Sequence, residues 1–239
     1  FDSMLDRIVA LDEEFMETQD WSLCTGVTFK IKGGQEYLPA SFDIEGDWSA
    51  AANFLVAGAV FGKVQLSGLD TSSLQADISI MDILMDAGAS LSQLDESGVI
   101  TSQRAPLRAF DTDLNNCPDL FPIVAVLAAF CPGTSRLRGV ERLLHKETDR
   151  AAAIVEMLSQ MGVPVRVEED EMVVEGMGLS QRLATGRLLK GGKFRSHSDH
   201  RMVMALKVAA LGADSPVEID DVDCVAKSFP GFNEMFDRL

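Results

Sequence analysis

The stretch DWSAAANFLVAGAVF, residues 47–61, decides the fold of this chain. After Asp47 it is apolar on nearly every face of a helix, and a helix that is apolar all round is a buried one. The Asp47 carboxylate is placed to accept the free amide hydrogens of the first turn, so it is expected to be the N-cap. The stretch therefore predicts a helix over 48–61 that is enclosed by its own domain.

The same plan occurs twice more along the chain. Asp119 introduces a second apolar run, Leu120–Phe130. Asp199 introduces a third, Arg201–Leu211. Apart from Arg201 itself, this run is interrupted only by Lys207. Each run is followed closely by a glycine and then by a short strand-like segment. Three buried helices of similar length are thus predicted, each with an Asp at its beginning.

The first two apolar runs are followed by an amphipathic helix and two further strands. Strands are predicted at 63–67, 89–94 and 99–102 in the first unit, at 134–137, 163–167 and 172–174 in the second, and at 216–219 in the third. The apolar faces of the two helices are predicted to carry Leu74, Ile78, Met81 and Met85 in the first unit, and Ala152, Val155, Leu158 and Met161 in the second. Asp47 and Asp119 are 72 residues apart, and so are Asp77 and Asp149. This equal separation supports a true repeat. With one more strand leading in, the unit is βαβαββ, an α/β (α+β) architecture.

The two ends of the chain look like complementary halves of this unit. The third unit keeps only the front half, whereas Phe1–Phe15 has helical spacing and Val27–Lys32 alternates like a strand. We therefore expect residues 1–39 to be a helix–strand–strand remnant of a preceding lobe or an incomplete unit. Residues 40–239 are expected to form one lobe, with units at about 40–108, 109–177 and 178–239. Since the first residue is Phe, we expect the C-terminal piece of a longer protein.

Composition excludes several classes of function. The chain has 239 residues and a net charge of −16, which argues against nucleic acid or an anionic membrane as the main partner. Its longest apolar stretches are shorter than the roughly 17–25 residues of a membrane span. Cys24, Cys117, Cys131 and Cys224 are far apart, so reduced thiols in a cytoplasmic protein are expected rather than a metal site.

Pseudo-threefold packing of the units would bring the beginnings of the buried helices to one face. Each helix N-terminus carries about +0.5 charge and free amide hydrogens, so that face would attract anions. Lys146 lies 27 residues after Asp119, and Lys227 lies 28 after Asp199, so the two lysines occupy corresponding sites. Together with Arg150 and Arg201, found near the same points, these cations predict a ligand that carries phosphate and carboxylate groups.

Each of these residues also has a purely structural interpretation. Asp119 could be only an N-cap, Arg201 could pair with Asp199, and Lys227 could lie in a surface loop. The run from Lys146 to Arg150 could be a solvated helix start with i,i+4 pairing. His200 is expected to be a packed or capping histidine rather than a base.

Several short segments occur in one order along the chain. They are Glu45-Gly46-Asp47, Gln75-Ala76-Asp77, Asn115-Asn116-Cys117-Pro118-Asp119, Lys146-Glu147-Thr148-Asp149-Arg150, Asp199-His200-Arg201-Met202 and Ala226-Lys227-Ser228-Phe229-Pro230. In this order they closely resemble the C-terminal part of the 5-enolpyruvylshikimate-3-phosphate synthase family, the 3-phosphoshikimate 1-carboxyvinyltransferases. The resemblance extends over essentially the whole chain.

The resemblance implies two similar lobes of three βαβαββ units each, with the active site in the cleft between them. The implied reaction transfers the enolpyruvyl group of phosphoenolpyruvate to the 5-hydroxyl of shikimate 3-phosphate, with release of phosphate. This is a step of aromatic amino acid biosynthesis by the shikimate pathway, and it implies no metal or organic cofactor. The partner that the chain would need is its missing N-terminal lobe.

The resemblance also implies roles for six residues. Asp119 matches the proton acceptor at the hydroxyl, and Glu147 matches the group that exchanges a proton with the methylene carbon. Lys146 would contact the ring hydroxyls of the shikimate. Arg150, Arg201 and Lys227 would hold the carboxylate and phosphate of phosphoenolpyruvate.

Two departures and three rival readings accompany this match. Arg142 stands where the family often has Asn, which puts one shikimate-phosphate contact in doubt, and Leu144 stands where the family usually has Arg. UDP-N-acetylglucosamine enolpyruvyl transferase shares the fold and the chemistry but lacks the run from Lys146 to Arg150. A non-catalytic binding domain on the same scaffold is the alternative from another class. An RNA-processing cyclase of related architecture is disfavoured by the acidic charge balance.

Overall fold

The fold is described by a computed structural model that covers residues 44–94, 98–144 and 146–239, together with 32–34, 36, 38, 39 and 41. The chain divides into two units, Phe1–Asp43 and Ile44–Leu239, and the second contains every element given below. The helix predicted over Phe1–Phe15 and nearly all of the strand predicted over Val27–Lys32 lie outside the described residues. The boundary at residues 39 and 40 therefore stays a prediction.

The first repeat is organised around helix α1, Trp48–Phe61. The Asp47 carboxylate accepts a hydrogen bond of 2.9 Å from the Ser49 amide, as expected of an N-cap. Every residue of α1 except its second and its last is buried. Gly58 lets the helix lie directly on the sheet, since a Cβ there would be 2.7 Å from the Ser102 carbonyl oxygen.

The remaining elements of the first repeat form a three-stranded sheet and a short helix. They are β1 (Lys63–Leu66), a 3-10 turn (Ala76–Ser79), α2 (Ile80–Asp86), β2 (Ser90–Leu94) and β3 (Val99–Gln103). The sheet order is β1-β3-β2, and both pairings are antiparallel.

The second repeat contains the complete unit. Its elements are β4 (Asp111–Asp113), a 3-10 turn (Pro118–Leu120), α3 (Phe121–Ala129), β5 (Gly133–Arg138), a 3-10 turn (Val140–Leu143), α4 (Arg150–Gln160), β6 (Val165–Glu168) and β7 (Glu171–Gly176). The sheet order is β4-β5-β7-β6, with β4 and β5 parallel and the other pairs antiparallel. This is the βαβαββ plan that the sequence predicts.

The third repeat has the front half of the plan. After α5 (Leu179–Thr185) come β8 (Gly192–Phe194), α6 (His200–Ala210), β9 (Val217–Ile219), a 3-10 turn (Val222–Lys227) and α7 (Phe232–Phe236). Strands β8 and β9 pair in parallel as a two-stranded sheet. The Asp199 carboxylate accepts from the Arg201 amide at 2.9 Å and so caps α6.

Helices α1, α3 and α6 pack against one another and form the centre of the core. All nine residues of α3 are buried. Aromatic pairs join the repeats, with Phe61 and Phe130 edge to face at 5.0 Å and Phe54 and Phe232 at 5.4 Å between ring centroids. Asp119, just before α3, and Asp199, the N-cap of α6, both bond the Arg150 guanidinium, so the beginnings of these two helices lie close together.

In the described part of the chain, no helix combines the length and the apolar character that a bilayer crossing requires.

The predicted apolar faces of the two amphipathic helices are partly wrong. Leu74 and Met85 are exposed, whereas Ile80, Ile83 and Leu84 are buried. The segment begins with a 3-10 turn of about three residues per turn, and this changes which side chains face the core. In α4, Leu158 and Met161 are buried as predicted, but Ala152 is exposed.

A core truncation in α3 is expected to be costly. Leu127 has no exposed surface, so Leu127→Ala should lower the free energy of unfolding by about 2–5 kcal/mol through lost burial and a residual cavity. Leu183→Ala on α5, where the side chain is 57% exposed, should stay within about 0.5 kcal/mol of the parent. Urea unfolding followed by circular dichroism measures both, and equal losses would contradict the placement of α3 at the centre of the core.

Candidate active site

The Arg150 guanidinium is the centre of a cluster at the beginnings of α4 and α6. Its Nε donates to Asp199 Oδ2 at 2.8 Å, and its Nη1 donates to Asp119 Oδ1 at 2.8 Å. Its Nη2 donates to Glu147 Oε2 at 2.5 Å. Three carboxylates from separate segments of the chain therefore converge on one cation.

Burying this cation is tolerable only because of those carboxylates. The Arg150 and Asp199 side chains have no exposed surface, and Arg150 is the first residue of α4, where the helix dipole repels a positive charge. Burial acts to lower the pKa of Arg150, but the hydrogen bonds and charges of Asp199, Asp119 and Glu147 outweigh it and raise that pKa. The guanidinium is thus a fixed positive charge inside the lobe.

Asp119 gathers the other cations of the cluster. One of its oxygens lies 3.1 Å from Lys146 Nζ, and the other lies 3.2 Å from Arg201 Nη2. Burial acts to raise the pKa of Asp119, yet the charge of Arg201 and the bonds from Arg150 and Lys146 bring it below its usual value. Its side chain is 33% exposed, so an ionised carboxylate lies open to a ligand between two cations.

Asp119 does not cap its helix. It is the middle residue of the 3-10 turn Pro118–Leu120, the N-cap residue of that turn is Cys117, and no side-chain cap bond is made. The extra 3-10 turn places the carboxylate beside the cations rather than over the helix amides. The capping interpretation of Asp119 is therefore wrong, although it holds for Asp47 and Asp199.

Glu147 and His200 lie side by side at the edge of the cluster. His200 Nδ1 is 3.9 Å from Glu147 Oε1, beyond a hydrogen bond, and this buried nitrogen has no hydrogen-bond partner among the described residues. Burial first, and then the charge of Arg201, lowers the pKa of His200. A mostly neutral imidazole thus lies next to the exposed Glu147 carboxylate.

Arg201 and Lys227 approach from the third repeat. Arg201 lies in the first turn of α6, and its side chain is 17% exposed. Lys227 ends a 3-10 turn, and its Nζ donates to the Ser198 carbonyl oxygen at 3.0 Å, one residue before the N-cap of α6. The structure therefore brings both cations to the beginning of the same helix.

The first repeat contributes polar groups that the sequence assigned no role. The Ser49 hydroxyl donates to the buried Asp77 carboxylate, whose pKa is raised by burial although Ser49 and Arg201 oppose the shift. Gln75 accepts from the Trp48 amide at 2.9 Å and donates to the Gly46 carbonyl oxygen at 2.9 Å, which fixes the start of α1. The charges of Arg201 and Asp119 also act on the Asp77 carboxylate. The beginning of α1 therefore lies near the cluster.

Sequence reasoning treated Asp199 as a helix cap and missed its second role. Asp199 also binds Arg150, which is 49 residues away in the sequence, and no local pattern predicts such a pair. The unpartnered nitrogen of His200 likewise depends on tertiary packing. Arg142 and Leu144, the two departures from the family pattern, are exposed in and just after the 3-10 turn before Lys146.

The arrangement offers anion binding and proton transfer in one place. Lys146 and Arg201 are partly exposed cations that can hold anionic groups, and Asp119 lies between them as an ionised base. Glu147 is a second carboxylate a short distance away, joined to Asp119 through Arg150. No group of three or more metal-ligating side chains was found within the described residues.

Comparison with known proteins gives one family and a set of named relatives. The family model of EPSP synthase (3-phosphoshikimate 1-carboxyvinyltransferase) matches residues 13–236. A 3-phosphoshikimate 1-carboxyvinyltransferase of Brachyspira hyodysenteriae is 39% identical over 207 residues, which are 87% of this chain and 47% of that protein. One from Aeropyrum pernix is 40% identical over 212 residues, 88% of this chain and 46% of that protein.

A solved structure agrees with these matches. The EPSP synthase of Acinetobacter baumannii superposes with a TM-score of 0.71 at 26% identity, over 89% of this chain and 52% of that one. The chain thus spans about half the length of the relatives that it matches.

Removal of the central cation should destabilise the lobe. Arg150→Met leaves the buried Asp199 carboxylate without its cation, so we expect a loss of about 3–5 kcal/mol in the free energy of unfolding. Adding Asp199→Ser removes the buried charge but keeps an oxygen that can cap α6, and should recover part of the loss. Urea unfolding of both variants measures these changes. If Arg150→Met alone is as stable as the parent, the proposed role of the cluster in folding is contradicted.

The lowered pKa of Asp119 predicts a pH dependence. Because the folded pKa lies below the unfolded value of about 3.9, the charged carboxylate stabilises the fold fully above about pH 4. That contribution is lost as the pH falls through the folded pKa. Asp119→Asn should therefore reduce the slope of unfolding free energy against pH below pH 4 by up to about 1.4 kcal/mol per unit.

Urea unfolding at a series of acidic pH values measures that slope. Asp149→Asn is the matched control, because Asp149 caps α4 through the Ala152 amide and takes no part in the cluster. Identical profiles for the Asp119 variant and the parent would refute the electrostatic assignment.

Proposed function

The chain belongs to the EPSP synthase family, and we propose that the enzyme of which it forms part transfers the enolpyruvyl group of phosphoenolpyruvate to the 5-hydroxyl of shikimate 3-phosphate. The observation that carries this proposal is the open Asp119 carboxylate, held ionised between Lys146 and Arg201 at the beginnings of buried helices. Both substrates are anions, and the reaction needs a base beside their binding groups.

The reaction divides into an addition and an elimination. The hydroxyl oxygen adds to the carbon that bears the phosphate ester, its proton passes to Asp119, and the methylene carbon takes up a proton. The resulting ketal loses phosphate, and its new methyl group gives up a proton to restore the double bond. Glu147 is proposed to exchange the proton at that carbon, with the neutral His200 packed beside it.

The cations divide between the two substrates. Arg201 and Lys227 would hold the carboxylate and phosphate of phosphoenolpyruvate, and Lys146 would contact the ring hydroxyls of the shikimate. The resemblance assigns Arg150 to phosphoenolpyruvate as well. Its guanidinium has no exposed surface, so it would have to exchange Asp119 or Glu147 for the substrate anion. Such an exchange would release a carboxylate for proton transfer when the substrate binds.

The rest of the site would come from a second lobe. The chain spans about half of its relatives, so we propose that the other half supplies the opposite wall of the cleft. The cytoplasm is the proposed location, and the three cysteines of the described part, Cys117, Cys131 and Cys224, are free and buried. The sugar-nucleotide alternative is not favoured, because the relatives reported above carry the shikimate name.

Steady-state release of phosphate from phosphoenolpyruvate tests the function. The complete enzyme should turn over with shikimate 3-phosphate as acceptor and not with UDP-N-acetylglucosamine, whereas the 239-residue chain alone should show negligible turnover. Binding of shikimate 3-phosphate without turnover by the complete protein would instead favour a non-catalytic binding domain.

Two variants separate base from binding group. In the complete enzyme, Asp119→Ala should lower kcat by about 10²–10⁴ with a smaller change in KM, as expected for loss of a general base. Arg201→Ala should chiefly raise the KM for phosphoenolpyruvate, and Asp149→Asn should leave both parameters near those of the parent. A near-parental kcat in the Asp119 variant would remove that residue from the proposed role.

A further inference from the structure

Two consecutive residues shortly before helix α6 have a left-handed backbone conformation. His197 has a φ of 56° and Ser198 has a φ of 53°. Such angles are uncommon for residues that carry a Cβ, and they persist only where the surrounding contacts hold them. Among the described residues, the one other case without a glycine is Glu169, with a φ of 54°, in the turn between β6 and β7. Strain of this kind at a candidate active site points to a role for the turn.

Two carboxylates that follow β9 hold this turn. Asp220 Oδ1 accepts from the Ser196 amide at 2.7 Å and from the Ser196 hydroxyl at 2.8 Å. Asp221 Oδ2 accepts from the Ser198 hydroxyl at 2.8 Å. Ser196 has no exposed surface, and its hydroxyl oxygen also accepts from the Ser198 amide at 3.2 Å. The turn is therefore fixed to the end of β9 by side-chain hydrogen bonds.

The turn is also joined to the two helices that carry the Arg150 cluster. His197 Nε2 lies 3.2 Å from Oε2 of Glu156, a residue of α4. Asp199, which caps α6 and binds Arg150, follows the turn directly, and its amide donates to the Ser196 carbonyl oxygen at 3.0 Å. The conformation of the turn thus sets the start of α6.

The same conformation sets the direction of the Ser198 carbonyl group. That oxygen accepts a hydrogen bond of 3.0 Å from Lys227 Nζ. Lys227 is exposed, and a long lysine side chain loses much rotamer freedom when it is held by a ligand. An acceptor that already restrains the ammonium group lowers this cost of binding.

We propose that the left-handed turn at His197 and Ser198 is a positioning element that fixes Lys227 for the anionic groups of phosphoenolpyruvate. Ser198 acts through Lys227 and is a positioning residue, and Asp221 acts by holding Ser198. The identity of the anion rests on the proposed function, whereas the restraint of Lys227 by the turn does not.

The restraint is measured on the 239-residue chain without substrate. Competitive labelling with acetic anhydride, followed by mass spectrometry, reports how freely the Lys227 amine reacts. A β-branched residue is an outlier at this φ, so Ser198→Val should turn the carbonyl away and raise the labelling of Lys227 at least about threefold. Ser198→Asn should stay within about twofold of the parent, because asparagine tolerates the left-handed conformation. Asp221→Ala, at an exposed position, should raise the labelling in the same direction as Ser198→Val.

Glu169→Val is the matched control. Glu169 is exposed like Ser198, has nearly the same φ, and lines a surface cavity with Arg136 and Arg138. The variant introduces the same backbone strain at another turn and should leave the labelling of Lys227 unchanged. The exposed Lys63 on β1 is the internal reference in each sample, and circular dichroism checks that each variant is folded.

The complete enzyme tests the consequence for the substrate. Ser198→Val should raise the KM for phosphoenolpyruvate at least about fivefold, with kcat and the KM for shikimate 3-phosphate changed less than about twofold. Ser198→Asn should bring the KM for phosphoenolpyruvate back to within about twofold of the parent.

Three results would overturn the proposal. They are unchanged labelling of Lys227 in Ser198→Val, an equal rise of labelling in Glu169→Val, and an unchanged KM for phosphoenolpyruvate in Ser198→Val. If the complete enzyme does not use shikimate 3-phosphate at all, the proposed function fails, and the labelling of Lys227 alone decides whether the turn restrains it.

Discussion

The buried guanidinium of Arg150 is the interaction on which the rest of the site depends. It ties the 3-10 turn before α3, the turn before α4 and the cap of α6 together by direct hydrogen bonds of 2.5–2.8 Å. A charge without exposed surface is stable only when its partners are in place, so the three segments are fixed relative to one another. The positions of Asp119 and Glu147 follow from this one contact.

The threefold repetition explains why charged groups collect where they do. Buried helices that begin near one another bring their positive ends together, and such ends favour carboxylates and ligand anions alike. The described lobe satisfies that preference at α1 and α6 with its own carboxylates, Asp47 and Asp199, whereas Asp119 bonds cations. The partly exposed Lys146 and Arg201 and the exposed Lys227 then remain for a ligand, in a protein whose net charge is −16. The local arrangement of these cations, and not the negative net charge of the chain, therefore decides where an anionic ligand can bind.

The repeats also differ in how far their sheets extend. The first repeat forms a three-stranded antiparallel sheet, and the second adds β7 and β6 to its parallel pair β4 and β5. Within the described residues, β8 and β9 of the third repeat form a sheet of two strands. The same plan thus gives sheets of three, four and two strands.

The sequence by itself determined the buried helices, the strands and the repeat, because hydrophobic periodicity and capping are local properties of consecutive residues. Helix α1 begins and ends where the pattern predicts, and the family follows from motifs in order. Only the tertiary structure decided that Arg150 is enclosed by carboxylates, that Asp119 bonds cations instead of capping, and that Ile80 and not Leu74 faces the core. Those outcomes depend on partners tens of residues away and on one 3-10 turn, and neither leaves a mark in the spacing of a single segment.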